Sequence, residues 1–342
     1  MTEQTGPTGR GALDVHAHAV PRTLLDRLAA DGLADLTGLD EGVVRFDPRV
    51  SGVGPGAPIP IARAQWDPSG RPAEMARSGV ERQLVSLPPF VTCAGADDED
   101  LVRSVARCGN DGLVAVLAPW AGTMDPLGFV PLGTPWAVSE ARRCIEELGC
   151  AGIAIGTRGL GRELDDPVHE PLWSYLADAG VFAFVHPNGV PDGARLHDFW
   201  LPQLVGFPME TAIAAARLVF GGVLERHDVA LVLAHGGGCL PILRGRMDMG
   251  WQRKDVARTT PQPPGAYLDR LYYDSATFSP QALRRLVDDV GAGRVMVGTD
   301  YPFELAEHDP VGAVGAAGLS ARQRAQVLHG TLSALLAARA GS

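Results

Sequence analysis

The sequence lacks the features that mark several protein classes. Its five cysteines are odd in number, scattered and without a C-x-x-C spacing: Cys93, Cys108, Cys144, Cys150 and Cys239. A disulfide framework is therefore not expected, and a reducing cytoplasm is the predicted location. A net charge of −10 argues against general nucleic-acid binding, which needs a basic face toward the phosphates. No apolar run approaches the ~20 residues of a membrane span, so no membrane association is expected.

Aromatic residues are also scarce, at 6%, whereas 42 glycines and 27 prolines among 342 residues favour tight connections between many short elements. The 46% share of hydrophobic residues supports one large packed core, so we expect a single domain over residues 1–342. Residues 1–11 are polar and rich in Gly, Pro and Thr, which predicts a flexible tail and no signal peptide.

Short apolar runs alternate with helical patterns along the chain. Several runs are almost unbroken, as in parallel strands that are buried on both faces. The predicted strands are Ala12–His16, Arg82–Leu87, Leu113–Ala118, Ala151–Gly156, Val181–His186, Val229–His235, Leu271–Asp274 and Val295–Asp300. Acidic or Pro starts and Gly stops predict the helices Asp97–Asn110, Trp136–Gly149, Glu170–Gly180 and Pro280–Val290. This alternation predicts an α/β fold, a closed (β/α)8 TIM barrel, with an open doubly wound sheet as the structural alternative.

Two stretches interrupt the alternation and are predicted to be loop insertions. Residues 47–68 are rich in Pro and Gly and follow strand 1, whereas residues 188–206 follow strand 5. Loops after the strands of a barrel lie at its C-terminal face and form the active site. We therefore expect both insertions to border the site.

The first predicted strand ends in a pair of histidines. His16 and His18 are two residues apart, so on a strand both side chains point to the same side and can bind one ion. Two unrelated histidines would give the same H-x-H motif, which is weak evidence alone.

Three further strands end in an ionisable residue: His186, His235 and Asp300. Burying such a group is costly unless it is paired or bound, and in a barrel all three would point into one mouth. We expect His16, His18, His186 and Asp300 to hold a metal, with His235 beside it as general acid and base.

A second metal bound by His235 is the alternative. Such binuclear sites often need a bridging group such as a modified lysine after strand 4, but this strand ends Ile155-Gly156-Thr157 and Lys254 is the only lysine. One metal is therefore favoured. The remaining histidines lie in predicted helices or loops and are expected to be surface or structural residues: His169, His197, His227, His308 and His329.

These motifs resemble the amidohydrolase superfamily, and more closely its decarboxylase branch typified by 2-amino-3-carboxymuconate-6-semialdehyde decarboxylase. The resemblance covers most of the chain. It is carried by the runs Asp14–His18, Cys144–Gly149, Gly152–Thr157, Phe184–Pro187, Phe199–Pro202, Leu204–Gly206, Ala234–Gly238, Gly245–Arg246 and Gly298–Phe303. The H-x-H pair is shared by the whole superfamily, whereas Phe-Trp-Leu-Pro, Ala-His-Gly-Gly-Gly and Gly-Thr-Asp-Tyr-Pro-Phe are more specific to this branch.

The resemblance implies a non-oxidative decarboxylase that uses one divalent metal, zinc above all, and no organic cofactor. It places the metal on His16, His18, His186 and Asp300 and the catalytic role on His235. It further implies that Arg45 and Arg246 bind the carboxylate of a small-molecule substrate and that Trp200 lies near the pocket. Arg246 would reach the site of a neighbouring subunit, which implies a homodimer.

The chain departs from the family pattern on two loops that face the substrate. Asn188-Gly189 follow His186-Pro187 where an aromatic residue is typical, and the insertion at 47–68 is longer. The substrate therefore stays open between unsaturated and aromatic acids. The same site also fits a hydrolase or hydratase, and the barrel alone also fits a binding or scaffold protein, because fold does not determine chemistry.

Overall fold

A computed structural model describes residues 11–340, so all but the last residue of the predicted N-terminal tail lies outside the described part. The described residues form a parallel sheet of eight strands, numbered here β1–β8 around the sheet. They are β1 Ala12–His18, β2 Val80–Ser86, β3 Met124–Phe129, β4 Gly152–Ile155, β5 Ala183–Val185, β6 Leu231–Leu233, β7 Tyr272–Asp274 and β8 Val295–Met296.

The sheet closes on itself. Beyond the last residue of β8, the chain pairs with β1: the Val15 amide donates to the Val297 carbonyl at 2.9 Å and the His18 amide to the Tyr301 carbonyl at 2.8 Å. Closure confirms the (β/α)8 TIM barrel and excludes the open sheet. The ionisable residues His186, His235 and Asp300 lie just beyond the last residues of β5, β6 and β8, at one end of the barrel.

Helices cover the outside of the barrel. Those of eight or more residues are Arg22–Ala30, Arg71–Ser78, Glu99–Leu117, Ala137–Glu146, Glu170–Asp178, Phe207–Phe220, Leu240–Arg253, Pro280–Val290 and Thr331–Ala340. Pro280–Val290 has its predicted bounds, and the Ser279 hydroxyl accepts the Ala282 amide at 3.3 Å as its N-cap. Within residues 11–340 no helix is both long and apolar enough to cross a membrane.

The prediction of the third strand was wrong. Residues 113–118 belong almost entirely to the helix Glu99–Leu117, which starts where the Asp98 carboxylate accepts the Asp100 and Leu101 amides. The helix buries Leu113 and Leu117, four positions apart on one face. The third strand is instead Met124–Phe129, whose Pro126 and Gly128 are residues that do not predict a strand. Gly128 is needed there, since a Cβ would lie 2.5 Å from Cys144 Cβ.

The predicted insertions contain secondary structure of their own. Residues 47–68 include the helices Pro48–Ser51 and Arg63–Trp66, and the strand Ile59–Pro60 pairs antiparallel with Val43–Phe46. Residues 188–206 include the helix Gly193–Leu196 and a π-helical turn over Pro202–Gly206. Residues 188–206 follow β5 directly, whereas residues 47–68 lie between the helices Arg22–Ala30 and Arg71–Ser78.

Two apolar clusters form the core. The larger lies between the sheet and its helices, and the smaller gathers residues from strands around the barrel, namely Val15, Leu84, Leu127, Ala154, Phe184, Val232 and Met296. Because alternate residues of a strand share a face, Phe184 lies beneath His186. Its ring is centred 4.8 Å from that of His16 and forms a floor under the site.

Candidate metal centre

Four side chains converge at the carboxyl end of the barrel: His16, His18, His186 and Asp300. One potential ligand atom from each lies within 4.8 Å of all the others. The Nε2 atoms of His16 and His18 are 3.1 Å apart, and Asp300 Oδ1 lies 3.1 Å and 3.3 Å from them. These are the four ligands predicted from the sequence, supplied by β1 and by the residues after β5 and β8.

The three imidazole rings are held so that Nε2 faces the centre. Nδ1 of His16 lies 2.6 Å from Asp274 Oδ2, and Nδ1 of His186 lies 2.9 Å from the Pro187 carbonyl. Nδ1 of His18 lies 3.1 Å from Ser86 Oγ and 3.3 Å from the Leu87 carbonyl. Since carboxylate and carbonyl oxygens only accept, each ring donates from Nδ1 and presents Nε2 to a metal. Burial opposes protonation of His16, but Asp300 and Asp274 together raise its pKa to about 10, so a metal bound at its Nε2 displaces a proton.

Two buried acceptor atoms of the centre receive no hydrogen bond. Neither His186 Nε2 nor Asp300 Oδ1 has a hydrogen-bond partner among the described residues. Burial lowers the pKa of His186 far below its ordinary value. Burial raises the pKa of Asp300, but His16, His18 and His235 together, His16 foremost, hold it well below its usual range. A neutral imidazole and an ionised carboxylate are the forms that bind metals, so these residues fit a divalent cation.

His235 lies beside the four ligands but is not one of the group. Its Nε2 is 3.7 Å from Asp300 Oδ2, and its ring is centred 5.3 Å from that of His16 and 5.2 Å from that of His186. The geometry favours one metal with His235 next to it over a second metal. The Thr157 hydroxyl, after β4, lies 3.1 Å from Asn188 Oδ1 and 3.3 Å from Glu210 Oε1, to one of which it donates.

The backbone at His235 and Asp300 is left-handed, with φ of 57° and 62°. This conformation costs a residue with a side chain roughly 1–3 kcal/mol, so the surrounding structure must enforce it. Three glycines follow His235 and form the turn with it. Gly238 is required, because a Cβ there would lie 1.9 Å from the Pro208 carbonyl oxygen.

Sequence reasoning missed Asp274 at the end of β7. Its side chain is fully buried and accepts hydrogen bonds from His16 Nδ1 and from the Gly236 and Ala276 amides at 2.8 Å and 3.1 Å. The available signal was the same as for the other site residues, an ionisable side chain closing an apolar run.

Aromatic rings wall the mouth of the barrel. Phe303 meets the His18 ring edge-on at 5.2 Å, and Phe207 lies 6.4 Å from the His186 ring. The Phe90 ring packs against Phe303, and Phe46, on the strand Val43–Phe46, stacks on Phe90. Flat apolar rings beside the metal ligands suit an unsaturated or aromatic group.

The three residues predicted to bind substrate lie outside this cluster. Arg45 is half-buried on the strand Val43–Phe46, on the face opposite Phe46, near Asp35. Arg246 is exposed on the helix Leu240–Arg253, and Trp200 is 44% exposed in the loop after β5, with φ of 58°. No described hydrogen bond or ion pair joins any of them to the metal ligands, so their roles stay predictions.

The other histidines do not join the centre. His169 is buried in the outer shell, whereas His227 Nε2 binds Glu170 at 2.7 Å and the exposed His197 binds the Ala194 carbonyl at 2.8 Å. His308 is exposed and His329 lies in a π-helical turn. These positions agree with the surface or structural roles expected.

The chain is similar to known proteins over the whole barrel. Residues 13–336 match the family described as amidohydrolase. The chain is 36% identical over 249 residues to a 2-amino-3-carboxymuconate-6-semialdehyde decarboxylase of Dictyostelium discoideum, covering 72% of this chain and 69% of that protein. It is 28% identical over 252 residues to a gamma-resorcylate decarboxylase of Rhizobium sp. strain MTP-10005, covering 67% and 75%.

A solved structure shares the fold. The dihydroxybenzoic acid decarboxylase from Polaromonas sp. JS666, which was determined with bound manganese, aligns with a TM-score of 0.75 at 22% identity. The alignment covers 96% of this chain and 97% of that chain. At this identity the likeness speaks for the barrel and not for the substrate.

Proposed function

Because the chain belongs to the amidohydrolase family, and within it to the metal-dependent decarboxylases, we propose that it removes carbon dioxide from an unsaturated or aromatic carboxylic acid without oxidation. The observation that carries this proposal is the single mouth in which four metal ligands converge with His235 beside them. The chemistry requires no organic cofactor.

Loss of carbon dioxide leaves an electron pair on the carbon that carried it, so a proton must reach that carbon. We propose that His235 delivers it, because its ring lies beside the metal ligands, is 11% exposed and has no hydrogen-bond partner for its Nδ1 among the described residues. Its Nε2 lies 3.7 Å from Asp300 Oδ2. A bound divalent metal supplies a Lewis acid that polarises a substrate oxygen.

Zinc is the proposed metal. Three imidazole nitrogens and one carboxylate oxygen are a donor set that zinc accepts, with room for a further ligand from solvent or substrate. Manganese, present in the Polaromonas structure, is the alternative. Metal analysis of protein purified without added metal distinguishes the two.

We propose that Arg45 and Arg246 bind the carboxylate of the substrate and that Trp200 covers the pocket. Changing Arg45 or Arg246 to glutamine is expected to raise KM by about 10–100-fold, because each change removes a charge-assisted hydrogen bond of about 1.5–3 kcal/mol. Steady-state kinetics measures this, and metal content should not change. Arg49→Gln is the matched control, because Arg49 is exposed and paired with Asp47. An unchanged KM in both variants would contradict the assignment.

A homodimer is proposed from an exposed apolar surface around Arg246. Ile242, Arg246 and Met249 lie on one face of the helix Leu240–Arg253, and the isoleucine is 74% exposed. Met209 is exposed on the helix Phe207–Phe220, which packs against this helix, and Phe199 and Leu204 are exposed in the segment before it. Exposed apolar side chains on one face mark interaction surfaces, and we propose that Arg246 enters the partner's site from this one.

Changing Ile242 to glutamate is expected to convert the dimer to monomers, since an unpaired charge would be buried at the interface. A loss of about 2–4 kcal/mol, typical of an interface hot spot, raises the dissociation constant by about 30–1,000-fold. Light scattering with size-exclusion chromatography measures the mass. Val168→Glu, on an exposed apolar residue elsewhere, should remain dimeric. A dimeric Ile242→Glu variant, or a monomeric wild type, would refute this surface.

No disulfide joins the five cysteines, all of which lie within the described residues, and we propose the reducing cytoplasm as the location. A hydrolase or hydratase that uses the same metal and His235 is the second candidate, favoured by the same acid and base beside a Lewis acid.

Turnover of unsaturated and aromatic acids in D2O separates the two candidates. A decarboxylase releases carbon dioxide and places deuterium on the carbon that lost it. A hydrolase or hydratase releases none and incorporates solvent oxygen.

A further inference from the structure

Asp274 connects the metal ligand His16 with the turn that carries His235. One carboxylate oxygen, Oδ2, lies 2.6 Å from Nδ1 of the metal ligand His16. The other, Oδ1, accepts the Gly236 amide at 2.8 Å, in the turn that carries His235. The Asp274 side chain is fully buried, so solvent does not compete for either oxygen.

The surroundings are built to admit this carboxylate. Gly298, after β8, faces it directly: a Cβ there would lie 2.7 Å from Asp274 Cβ and 2.8 Å from Oδ2. The Ala276 amide also donates to Oδ1 at 3.1 Å, which fixes the rotation of the carboxylate. Gly236 takes a left-handed φ of 60°, so the chain turns back toward the end of β7 immediately after His235.

We infer that Asp274 is a positioning residue, which holds the His16 ring in the metal-binding tautomer with one oxygen and the His235 turn with the other. An acceptor at His16 Nδ1 keeps the proton there, and Nε2 then offers its lone pair to the metal. The bond to Gly236 holds the left-handed turn, which has an unfavourable backbone conformation. This inference rests on the proposed metal site.

Two variants separate the two oxygens. In Asp274→Asn the amide oxygen can still accept from Gly236, but the amide NH2 faces His16 Nδ1 and forces the proton to Nε2. Loss of the carboxylate that accepts from a metal-binding histidine weakens metal binding by about 10–100-fold. In Asp274→Ala the bonds to His16, Gly236 and Ala276 are all lost. We therefore expect Asp274→Asn to recover most of its turnover at saturating metal, and Asp274→Ala to remain impaired.

The matched control is Asp14→Asn. Asp14 is equally buried, but it accepts from the His16 and Thr299 amides, the Thr299 hydroxyl and the Gln83 side chain and touches no imidazole nitrogen. Competition with a chromophoric chelator gives the zinc dissociation constant of each variant. The inference is overturned if Asp274→Asn and Asp14→Asn weaken zinc binding equally, or if Asp274→Asn binds zinc as wild type does.

A measurement on the wild-type chain guards against variants that do not fold. Proton–nitrogen spectra of the zinc-loaded protein with labelled histidine should show a strongly deshielded Nδ1 proton for His16, as expected for a 2.6 Å bond to a carboxylate. A proton on Nε2 instead would overturn the inference. If the wild type binds no zinc at all, the proposed function fails before this inference is reached.

Discussion

Replacing His235 by asparagine is expected to lower kcat by about 10²–10⁴-fold, the usual contribution of a positioned general acid or base. Metal content should stay at the wild-type level, because His235 lies outside the group of converging ligands. Asparagine is the suitable replacement, since it tolerates the left-handed backbone that His235 adopts at φ 57°. Metal analysis and steady-state kinetics on the same preparation test both parts.

The matched control is His227→Asn. This histidine pairs with Glu170 at 2.7 Å in the outer shell and lies outside the metal centre. It should keep wild-type turnover. Full turnover in His235→Asn would remove His235 from the chemistry, and loss of metal from that variant would make it a ligand and revive the binuclear alternative.

Replacing His186 by alanine is expected to abolish metal retention and, with it, turnover. The change removes a buried Nε2 atom that has no hydrogen-bond partner among the described residues. In the wild type, a metal at 1,000 times its dissociation constant stabilises the folded state by about 4 kcal/mol. Chelation should therefore lower the wild-type Tm by several degrees and leave the Tm of His186→Ala unchanged.

Thermal unfolding with and without chelator measures this difference. Restoring zinc to the chelated wild type should recover both Tm and turnover, which separates metal loss from irreversible unfolding. A His186→Ala variant that still holds one metal per chain and responds to chelator as the wild type does would place the metal elsewhere.

The metal centre could be predicted because its residues follow a physical rule that is visible in the sequence. His186, His235 and Asp300 each follow an apolar run, and a buried ionisable group in that position needs a partner or a ligand. The structure brings their side chains together with His16 and His18 at one mouth. Asp274 follows the same rule, but the apolar run before it is shorter, and Asp274 was not predicted to be a site residue.

The third strand could not be predicted from pattern alone. Pro126 and Gly128 are poor strand residues, whereas the residues from Leu113 onward are apolar enough for a strand and also extend the preceding helix. The choice is made by packing, since Gly112 in that helix lies against Thr23 and Pro21 with no room for a Cβ. Tertiary contacts of this kind override local preference.

The proposed substrate-binding residues, Arg45 and Arg246, were assigned by the family resemblance alone. The resemblance does not say which face of a strand carries Arg45, and in the structure it lies opposite Phe46, whose ring stacks on Phe90. Arg246 is exposed on the described chain, so its proposed role requires a second subunit.

One divalent metal, held by the four converging ligands, is proposed to drive loss of carbon dioxide. The most direct test is titration of metal-free protein with zinc or manganese while carbon dioxide release is recorded from an acid substrate. The rate should rise with added metal and level off at one metal per chain, with no solvent oxygen in the product. Protein that binds one metal and converts a lactone, amide or alkene, without carbon dioxide from any acid, would contradict the account.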